Sequence, residues 1–167
     1  MAATICYRWR LMIKNLKIVS GGQTGADRAA LDWAIEHDVP HGGWCPAGRL
    51  AEDGVVPARY ALDELLEGGY LERTRANVRD SDATLIISLS PVLSGGSKET
   101  SRFAIELHKA WLHVHPSVNW KAALGQWVRP RGEFVLNVAG PRASKEPGVG
   151  VFVGEVLDEM FGRQFSD

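Results

Sequence analysis

Apolar and polar positions along this chain form short apolar runs separated by longer segments with helical periodicity. The clearest run is residues 83–88, and similar strand-like runs lie at residues 16–20 and 133–138. Weaker strand patterns lie at residues 41–45 and 111–115. Strands that alternate with helices are typical of a parallel sheet covered by helices. The pattern therefore predicts an α/β protein with a mostly parallel sheet of about five strands.

Helical periodicity fills most of the intervening chain. Apolar side chains recur on one face of residues 26–37 and of residues 148–161. Shorter helices are predicted at residues 71–79, 98–110 and 120–128. Together with the strands, these helices predict a three-layer αβα sandwich of the Rossmann-like type.

Residues 46–69 show neither a strand nor a helix period and are rich in Gly and Pro. We predict a long irregular connection there, of the kind that is usually functional or lid-like in a compact domain. The chain has no internal repeat, and its 167 residues fit one domain. We therefore predict a single Rossmann-like ligand-binding domain over residues 16–167, preceded by a basic and poorly ordered extension over residues 1–15. A transit segment or an ordered arm remains an alternative for that extension.

Composition narrows the class of partner. The net charge of −1 gives no general electrostatic case for nucleic acid or an anionic membrane. No apolar run approaches the roughly 18 residues that a membrane-spanning helix needs. Cys6 and Cys45 are too few and too far apart in sequence for a disulfide framework. These features predict a reduced, cytoplasmic protein that binds neither nucleic acid nor membrane.

The first candidate site is a glycine turn, residues 20–27, between the first predicted strand and the helix after it. Glycines let the backbone approach a ligand closely, and free N–H groups at a helix start favour an anion. Thr24 and Asp27 also fit a capping box at that helix start. The spacing matches neither GxGxxG nor a Walker loop. The residues that we predict to contact a ligand here are Gly21, Gly22, Gln23, Thr24, Gly25 and Asp27.

The alternative for this turn is purely structural, since two glycines also make a tight strand-to-helix connection and Asp27 can serve as a cap alone. A Gly22→Asp substitution separates the two interpretations. If the turn binds an anion, we expect loss of binding without loss of the fold.

Two further turns have the same position after predicted strands. Residues 94–100 combine glycines with hydroxyls, and residues 137–144 contain an arginine that could clamp a phosphate or oxyanion, or equally lie solvated in a loop. Because such turns lie at the carboxyl ends of parallel strands, we expect a shared cleft. The predicted contacts from these turns are Gly95, Gly96, Ser97, Thr100, Gly140 and Arg142.

Other candidates have open interpretations. Trp44 could stack on a flat ring such as a pterin or purine, or be an ordinary core tryptophan. Thr74 and Asn77 could point into the cleft from a polar helix, or that helix could simply be solvated. Cys45 is a conceivable thiolate near a bound metal, although a buried structural cysteine is the simpler interpretation. No arrangement typical of a nucleophilic triad or a zinc site emerges.

Four segments together resemble the family named putative molybdenum carrier proteins: SGGQTGADRAALDWA, HGGWCPAGRLAEDGVVPARY, ERTRANVRDSDATLIIS and LNVAGPRASKEPGV. The likeness runs from about residue 17 to residue 161. It implies a Rossmann-like domain related to the LOG-type nucleotide and ligand-binding proteins. It also implies molybdenum cofactor (molybdopterin) or molybdate as ligand, a molybdoenzyme as acceptor, and a homodimer or homotetramer.

The chain departs from the hydrolases within that wider group. A LOG-type hydrolase is expected to carry PGGxGTxxE, whereas this chain has Ser94, Lys98, Glu99 and Arg102 in place of the proline, third glycine, threonine and glutamate. We therefore expect a carrier of molybdenum cofactor, or of a similar phosphorylated ligand, with no catalytic residue. The alternatives are a nucleotide-binding sensor and a nucleotide phosphoribohydrolase that cleaves the N-glycosidic bond with Glu99 or Asp27.

Overall fold

The computed structural model describes residues 15–127 and 132–162. In chain order its strands are β1 (Leu16–Val19), β2 (His41–Gly42), β3 (Trp44–Pro46), β4 (Leu50–Ala51), β5 (Gly54–Val55), β6 (Asp63–Leu65), β7 (Ala83–Ile87), β8 (Ala110–Val114) and β9 (Phe134–Ala139). Its α-helices are α1 (Ala26–Glu36), α2 (Tyr70–Arg79), α3 (Gly95–Glu106), α4 (Trp120–Trp127) and α5 (Val149–Leu157).

Five strands form the main sheet in the order β2-β1-β9-β7-β8, and all of its pairings are parallel. The last strand, β9, lies between β1 and β7, with Leu136 opposite Ile18 on one side and Ala83 on the other. The predicted α/β class and the five-stranded parallel sheet are confirmed.

Buried side chains cover both faces of this sheet. The larger core lies between the sheet and α1, α4 and α5, and it includes Leu85, Leu136 and Phe152. The smaller core lies on the opposite face, where Val78 of α2 packs with Phe103 and Ala104 of α3. Burial of these apolar groups is the main stabilising contribution to such a sandwich.

The predicted strand at residues 41–45 is wrong as a single element. Gly43 interrupts it with a φ of 125°, and a Cβ atom there would lie 2.3 Å from the Ser20 carbonyl oxygen. Residues before Gly43 join the main sheet as β2, whereas β3 after it pairs with β6 in a separate two-stranded sheet. The close backbone approach therefore requires glycine and redirects the chain.

The predicted irregular connection at residues 46–69 is also wrong. It contains a 3-10 turn (Ala47–Arg49), the antiparallel β4–β5 hairpin and β6. Val56, Tyr60 and Leu62 from this segment are buried with Leu31 of α1 and with Cys45. Strands of two or three residues are too short to show a period in the sequence, so the pattern missed a small second core.

Two helices have bounds that differ by several residues from the prediction. The helix predicted at residues 98–110 begins earlier, at Gly95, and ends at Glu106, because His108 adopts a φ of 53° and Ala110 starts β8. The helix predicted at residues 148–161 is regular only to Leu157 and continues as a π-helical turn (Asp158–Gly162).

The proposed division into an extension and a single domain stays a prediction, since residues 1–14 lie outside the described part of the chain. Residue 128, the predicted end of α4, lies outside it as well. Among the helices of residues 15–127 and 132–162, none has both the length and the apolar character needed to span a membrane.

Candidate functional site

The three predicted loops meet at the carboxyl ends of β1, β9 and β7. The chain passes from β1 to β2 in one direction along the sheet and from β7 to β8 in the other, with β9 between them. Such a reversal leaves a crevice beyond the strand ends, which is where open α/β sheets bind ligands. The sheet topology thus places the loops around one crevice.

The innermost part of this crevice, here named the inner cavity, surrounds Arg73 of α2 and Asp27 of α1. Both residues are buried, at 4% and 5% exposed, and Nη1 of Arg73 lies 3.6 Å from Oδ2 of Asp27. The cavity volume is about 20 Å³, enough for a single water molecule. Its lining residues are Gly21, Asp27, Tyr70, Arg73, Thr74, Asn77, Gly96, Thr100, Asn137, Ala139 and Gly140.

Two donor groups of Arg73 have no hydrogen-bond partner within the described structure, namely Nε and Nη2. A buried, unpaired N–H group costs free energy, and the cost is larger for a charged group. The guanidinium is also held firmly, since its central carbon lies 4.3 Å from the centre of the Tyr70 ring. Both donors lie beside the inner cavity, where a water molecule or an anionic oxygen can accept from them.

Asp27 has an unusual environment for a carboxyl group. Burial raises its pKa above the ordinary value, although the charge of Arg73 and a hydrogen bond from the Gln23 backbone N–H act in the opposite direction. The predicted Thr24–Asp27 capping box is wrong. Helix α1 has Gly25 as its N-cap without a side-chain cap bond, because the Thr24 hydroxyl donates to Glu52 instead.

A wider space, here named the outer cleft, opens from the inner cavity and shares Tyr70, Gly96 and Gly140 with it. Its volume is about 270 Å³. Arg142 and Lys145 contribute positive charge, and the Lys145 ammonium group donates to the Ser94 hydroxyl at 2.5 Å. The remaining lining residues are Ser97, Pro141 and Ser144. Because it combines two cations with several hydroxyls, the outer cleft suits an anionic group.

A third space, here named the side cleft, borders the outer cleft at Tyr70 and Arg142. Its volume is about 520 Å³. The Arg142 guanidinium carbon lies 5.0 Å from the centre of the Tyr70 ring, so this pair marks the boundary between the two clefts. The other lining residues are Gln23, Pro46, Ala47, Leu50, Ala51, Glu52, Gly68 and Gly69.

The structure brings together nine of the fourteen predicted contact residues in these three spaces. They are Gly21, Gln23, Asp27, Asn77, Gly96, Ser97, Thr100, Gly140 and Arg142. Asn77 reaches the inner cavity, and its side-chain amide also forms two hydrogen bonds with the backbone of Trp44. Its Oδ1 accepts from the Trp44 N–H at 2.7 Å, and its Nδ2 donates to the Trp44 carbonyl oxygen at 2.9 Å. The sharing of one crevice by three loops follows from the strand order rather than from any one motif.

The other five predicted residues do not line these spaces: Gly22, Thr24, Gly25, Trp44 and Gly95. Gly22 faces the small second core, since a Cβ atom there would lie 2.5 Å from Cδ1 of Leu62. The indole N–H of Trp44 donates to the Asp80 carboxylate at 2.8 Å. Gly95 is the first residue of α3, beside Lys145.

Several site residues escaped the sequence reasoning, above all Tyr70, Arg73 and Lys145. The signal for Arg73 was present, because Arg73, Thr74 and Asn77 share one buried face of α2 at helical spacing. That face is polar, so it was compatible with a solvated helix as well as with a cleft. Lys145 stands in a loop and has no periodicity that could reveal it.

The carboxylate considered for hydrolysis, Glu99, does not line the three spaces. It accepts a hydrogen bond from Arg102 one helical turn later, at 2.7 Å. Within the described ranges 15–127 and 132–162, no group of three or more His, Cys, Asp or Glu side chains is arranged to hold a metal ion. The chemistry that the crevice offers is therefore anion recognition by arginine, lysine and hydroxyl groups.

Comparison with known proteins gives two matches. The model of the circularly permutated YpsA SLOG family matches residues 18–161. A solved structure described as a putative molybdenum carrier protein from Syntrophus aciditrophicus SB is similar, with 47% sequence identity and a TM-score of 0.80, and the alignment covers 86% of this chain and 93% of that one. No curated protein matches the chain.

Proposed function

Since the chain belongs to the circularly permutated YpsA SLOG family, we propose that it binds and carries a phosphate-bearing ligand or an oxyanion in the outer cleft, with one oxygen of the anion entering the inner cavity. Molybdenum cofactor or molybdate is the ligand that we favour, and a molybdoenzyme would accept it. The name of the similar solved structure supports this choice, although that name describes only the other protein.

The observation that carries the proposal is the pair of buried donors on Arg73 that find no acceptor among residues 15–127 and 132–162. A phosphate or molybdate oxygen that reaches Nε and Nη2 would remove the free-energy penalty of those unpaired groups. Hydrogen bonds from a guanidinium to an anionic oxygen are charge-assisted and stronger than those between neutral groups. Arg142 and Lys145 would hold the remaining charge of the ligand in the outer cleft.

The residues present fit an oxyanion or a phosphate better than a directly bound metal ion. No described group of His, Cys, Asp and Glu could ligate a metal, whereas three cationic side chains line the inner cavity and outer cleft. The protein would therefore recognise oxo or phosphate oxygens. The adjoining side cleft offers room for a ring system, because binding clefts of about 300–1,000 Å³ hold ligands of that size.

A nucleotide-binding sensor is the second candidate. The outer and side clefts adjoin each other at Arg142, and this arrangement would also suit a nucleotide. Its phosphate would lie beside Arg142 and its nucleoside in the side cleft. Hydrolysis of the N-glycosidic bond has less support, since Glu99 is paired with Arg102. Of the described residues that line the inner cavity, Asp27 alone carries a carboxylate.

The test is to identify what co-purifies with the protein from a host that makes molybdenum cofactor, by mass spectrometry and metal analysis. The informative variant is Arg73→Gln. Its matched control is Arg75→Gln on the same helix, because Arg75 is only partly buried and is paired with Glu106. Arg142→Gln provides a second variant at the half-buried edge of the cleft, in case loss of Arg73 impairs folding.

We expect pterin and molybdenum with the natural chain and with Arg75→Gln, and neither with Arg73→Gln. Direct titration with molybdate should show the same order, with at least about a tenfold loss of affinity for Arg73→Gln. Recovery of an adenine nucleotide in place of pterin would favour the sensor and contradict molybdenum carriage. Equal binding by Arg73→Gln and Arg75→Gln, with both folded, would contradict the assigned site.

A further inference from the structure

The β4–β5 hairpin places a carboxylate between two of the ligand-binding loops. Glu52 lies at the turn of this hairpin and accepts hydrogen bonds from both loops. Its donors are the Thr24 hydroxyl in the loop after β1, and the Ser144 hydroxyl (2.5 Å) and backbone N–H (3.3 Å) in the loop after β9. A side chain of the protein thus fills a site made of three donors.

The three donors are arranged for an anion. The Ala143 backbone N–H donates to Thr24 Oγ1 at 3.2 Å, so the single hydroxyl proton of Thr24 is left for the carboxylate. The hydrogen bonds from Ser144 and Thr24 lower the pKa of Glu52, and the charge of Arg142 acts in the same direction. Glu52 is therefore ionised at neutral pH and occupies this site as an anion.

This donor site adjoins the proposed ligand site. Ser144 and Arg142 line the outer cleft, and Glu52 and Arg142 line the side cleft. The carboxylate therefore lies at the border between the two clefts. If a ligand held beside Arg142 has a second negative group, that group would find the Thr24 and Ser144 donors already occupied by the Glu52 carboxylate.

Other contacts hold the hairpin in place without Glu52. Asp53 accepts two hydrogen bonds from the Arg28 guanidinium, at 2.5 and 2.8 Å. The Gln23 amide donates to the Leu50 carbonyl oxygen at 2.9 Å. Because these contacts are independent of Glu52, its carboxylate can be replaced or displaced while the hairpin stays docked.

We propose that Thr24 and Ser144 form a second anion subsite, which Glu52 fills with its own carboxylate, so that the protein selects ligands with one anionic group over ligands with two. This inference rests on the proposed function, since it assumes that the outer cleft holds an anion. A ligand with two adjacent phosphates would have to displace an ionised carboxylate from its donors and then bear its repulsion. Glu52 thereby acts as a specificity-determining residue.

The test compares orthophosphate with pyrophosphate in calorimetric titrations of the natural chain, Glu52→Ala and Glu52→Gln. The natural chain should bind orthophosphate about tenfold more tightly than pyrophosphate, because only the second phosphate meets the Glu52 carboxylate. Glu52→Ala should gain about tenfold for pyrophosphate relative to orthophosphate, because a like charge is removed and three donors are freed. Glu52→Gln should gain less, since its amide oxygen can still accept a hydrogen bond.

Asp53→Asn is the matched control, because it weakens the anchor to Arg28 and leaves the Glu52 carboxylate in place. If the affinity for pyrophosphate relative to orthophosphate is unchanged in this control, the effect of Glu52 arises from its charge rather than from movement of the hairpin. The same gain in Asp53→Asn as in Glu52→Ala would overturn the inference. Orthophosphate binding with an unchanged ratio in Glu52→Ala would overturn this inference alone. Absence of binding of either anion to the natural chain and to both Glu52 variants would overturn the proposed function with it.

Discussion

The Asp27 carboxylate and the Arg73 guanidinium form a buried pair 3.6 Å apart, and no described residue pairs with two donors of the cation, Nε and Nη2. An anion bound to those donors would share Arg73 with Asp27, so two negative groups would face one positive group. Since burial already raises the pKa of Asp27, a bound anion should raise it further. Anion binding and protonation of Asp27 are thereby linked.

The first prediction concerns this linkage. The pKa of Asp27 should be higher in the anion complex than in the free protein. The affinity for the anion should therefore increase as the pH falls from the Asp27 pKa of the complex to that of the free protein. Sulfate is the suitable probe, because it does not itself titrate near neutrality. Calorimetry at several pH values in buffers of different ionisation enthalpy measures both the affinity and the proton uptake.

Asp27→Asn should abolish the proton uptake and raise sulfate affinity by about tenfold at the upper end of the pH range, since one pKa unit corresponds to a factor of ten. The amide is close to isosteric with the carboxyl and can still accept the Gln23 N–H. Binding by the natural chain without proton uptake, and with no response to Asp27→Asn, would contradict the linkage.

The second prediction separates two neighbouring glycines. A Cβ atom at Gly21 would lie 1.5 Å from Nη1 of Arg73 and 2.9 Å from Oδ2 of Asp27. Gly21→Ala should therefore displace the guanidinium and weaken anion binding by at least about tenfold, while the backbone at Gly21, unlike that at Gly22, does not require a positive φ. Titration with sulfate and thermal unfolding of the same variant test both parts.

Gly22→Ala should have the opposite profile. Gly22 has a φ of 76° and faces Leu62 and Val56, so a side chain there strains the backbone and crowds the small core. We expect a loss of about 1–3 kcal/mol in the free energy of unfolding, with anion affinity retained in the folded fraction. These contacts favour the structural interpretation of the turn at Gly22, so Gly22→Asp should also destabilise the fold. Normal stability of Gly22→Ala would refute that assignment.

The main sheet was predictable from the sequence because its central strands have strong local signals. Residues 83–87 (ATLII) are buried throughout, as a strand with neighbours on both sides and helices on both faces must be. The glycine turns were found for the same reason, since they follow directly after such strands. Topology then brought them together.

The remaining site could not be predicted because its contacts join distant parts of the chain. Glu52 reaches Thr24 and Ser144 from a hairpin whose strands have two residues each. Nothing in the local pattern distinguishes Glu52 from Asp53 beside it. For Trp44 the local residue type pointed to a ligand contact that the structure does not show. Its aromatic ring suggested stacking on a ligand, whereas its backbone N–H donates to Asn77 and its indole N–H donates to Asp80.

The third prediction tests the core beneath the site with two adjacent residues of α5. Phe152 is buried and its ring lies edge-on to Trp120 at 5.5 Å, whereas Val151 is 71% exposed. Phe152→Ala should cost about 3–5 kcal/mol in the free energy of unfolding, because it leaves a cavity. Val151→Ala should change it by less than about 0.5 kcal/mol. Chemical denaturation measures both, and similar losses would contradict the assigned packing.

The last prediction concerns pH and His113 at the end of β8. The Ser88 hydroxyl donates to the Ser90 carbonyl oxygen, so the His113 Nε2–H donates to Ser88 Oγ at 2.6 Å. Burial lowers the pKa of His113 below its ordinary value of 6.5, and the neighbouring His115 acts in the same direction against an opposing effect of Glu146. When the pH falls below about 6.5, the unfolded chain therefore takes up a proton before the folded protein does.

It follows that His113 stabilises the fold fully above that pH and that its contribution is lost as the pH falls toward its lowered pKa. His113→Gln keeps an N–H donor for Ser88 and removes the titration, so its melting temperature should fall less than that of the natural chain between about pH 7.5 and about pH 5.5. His108→Asn is the control, because His108 is exposed and asparagine tolerates its positive φ. An equal fall in all three proteins would show that the acid sensitivity arises elsewhere.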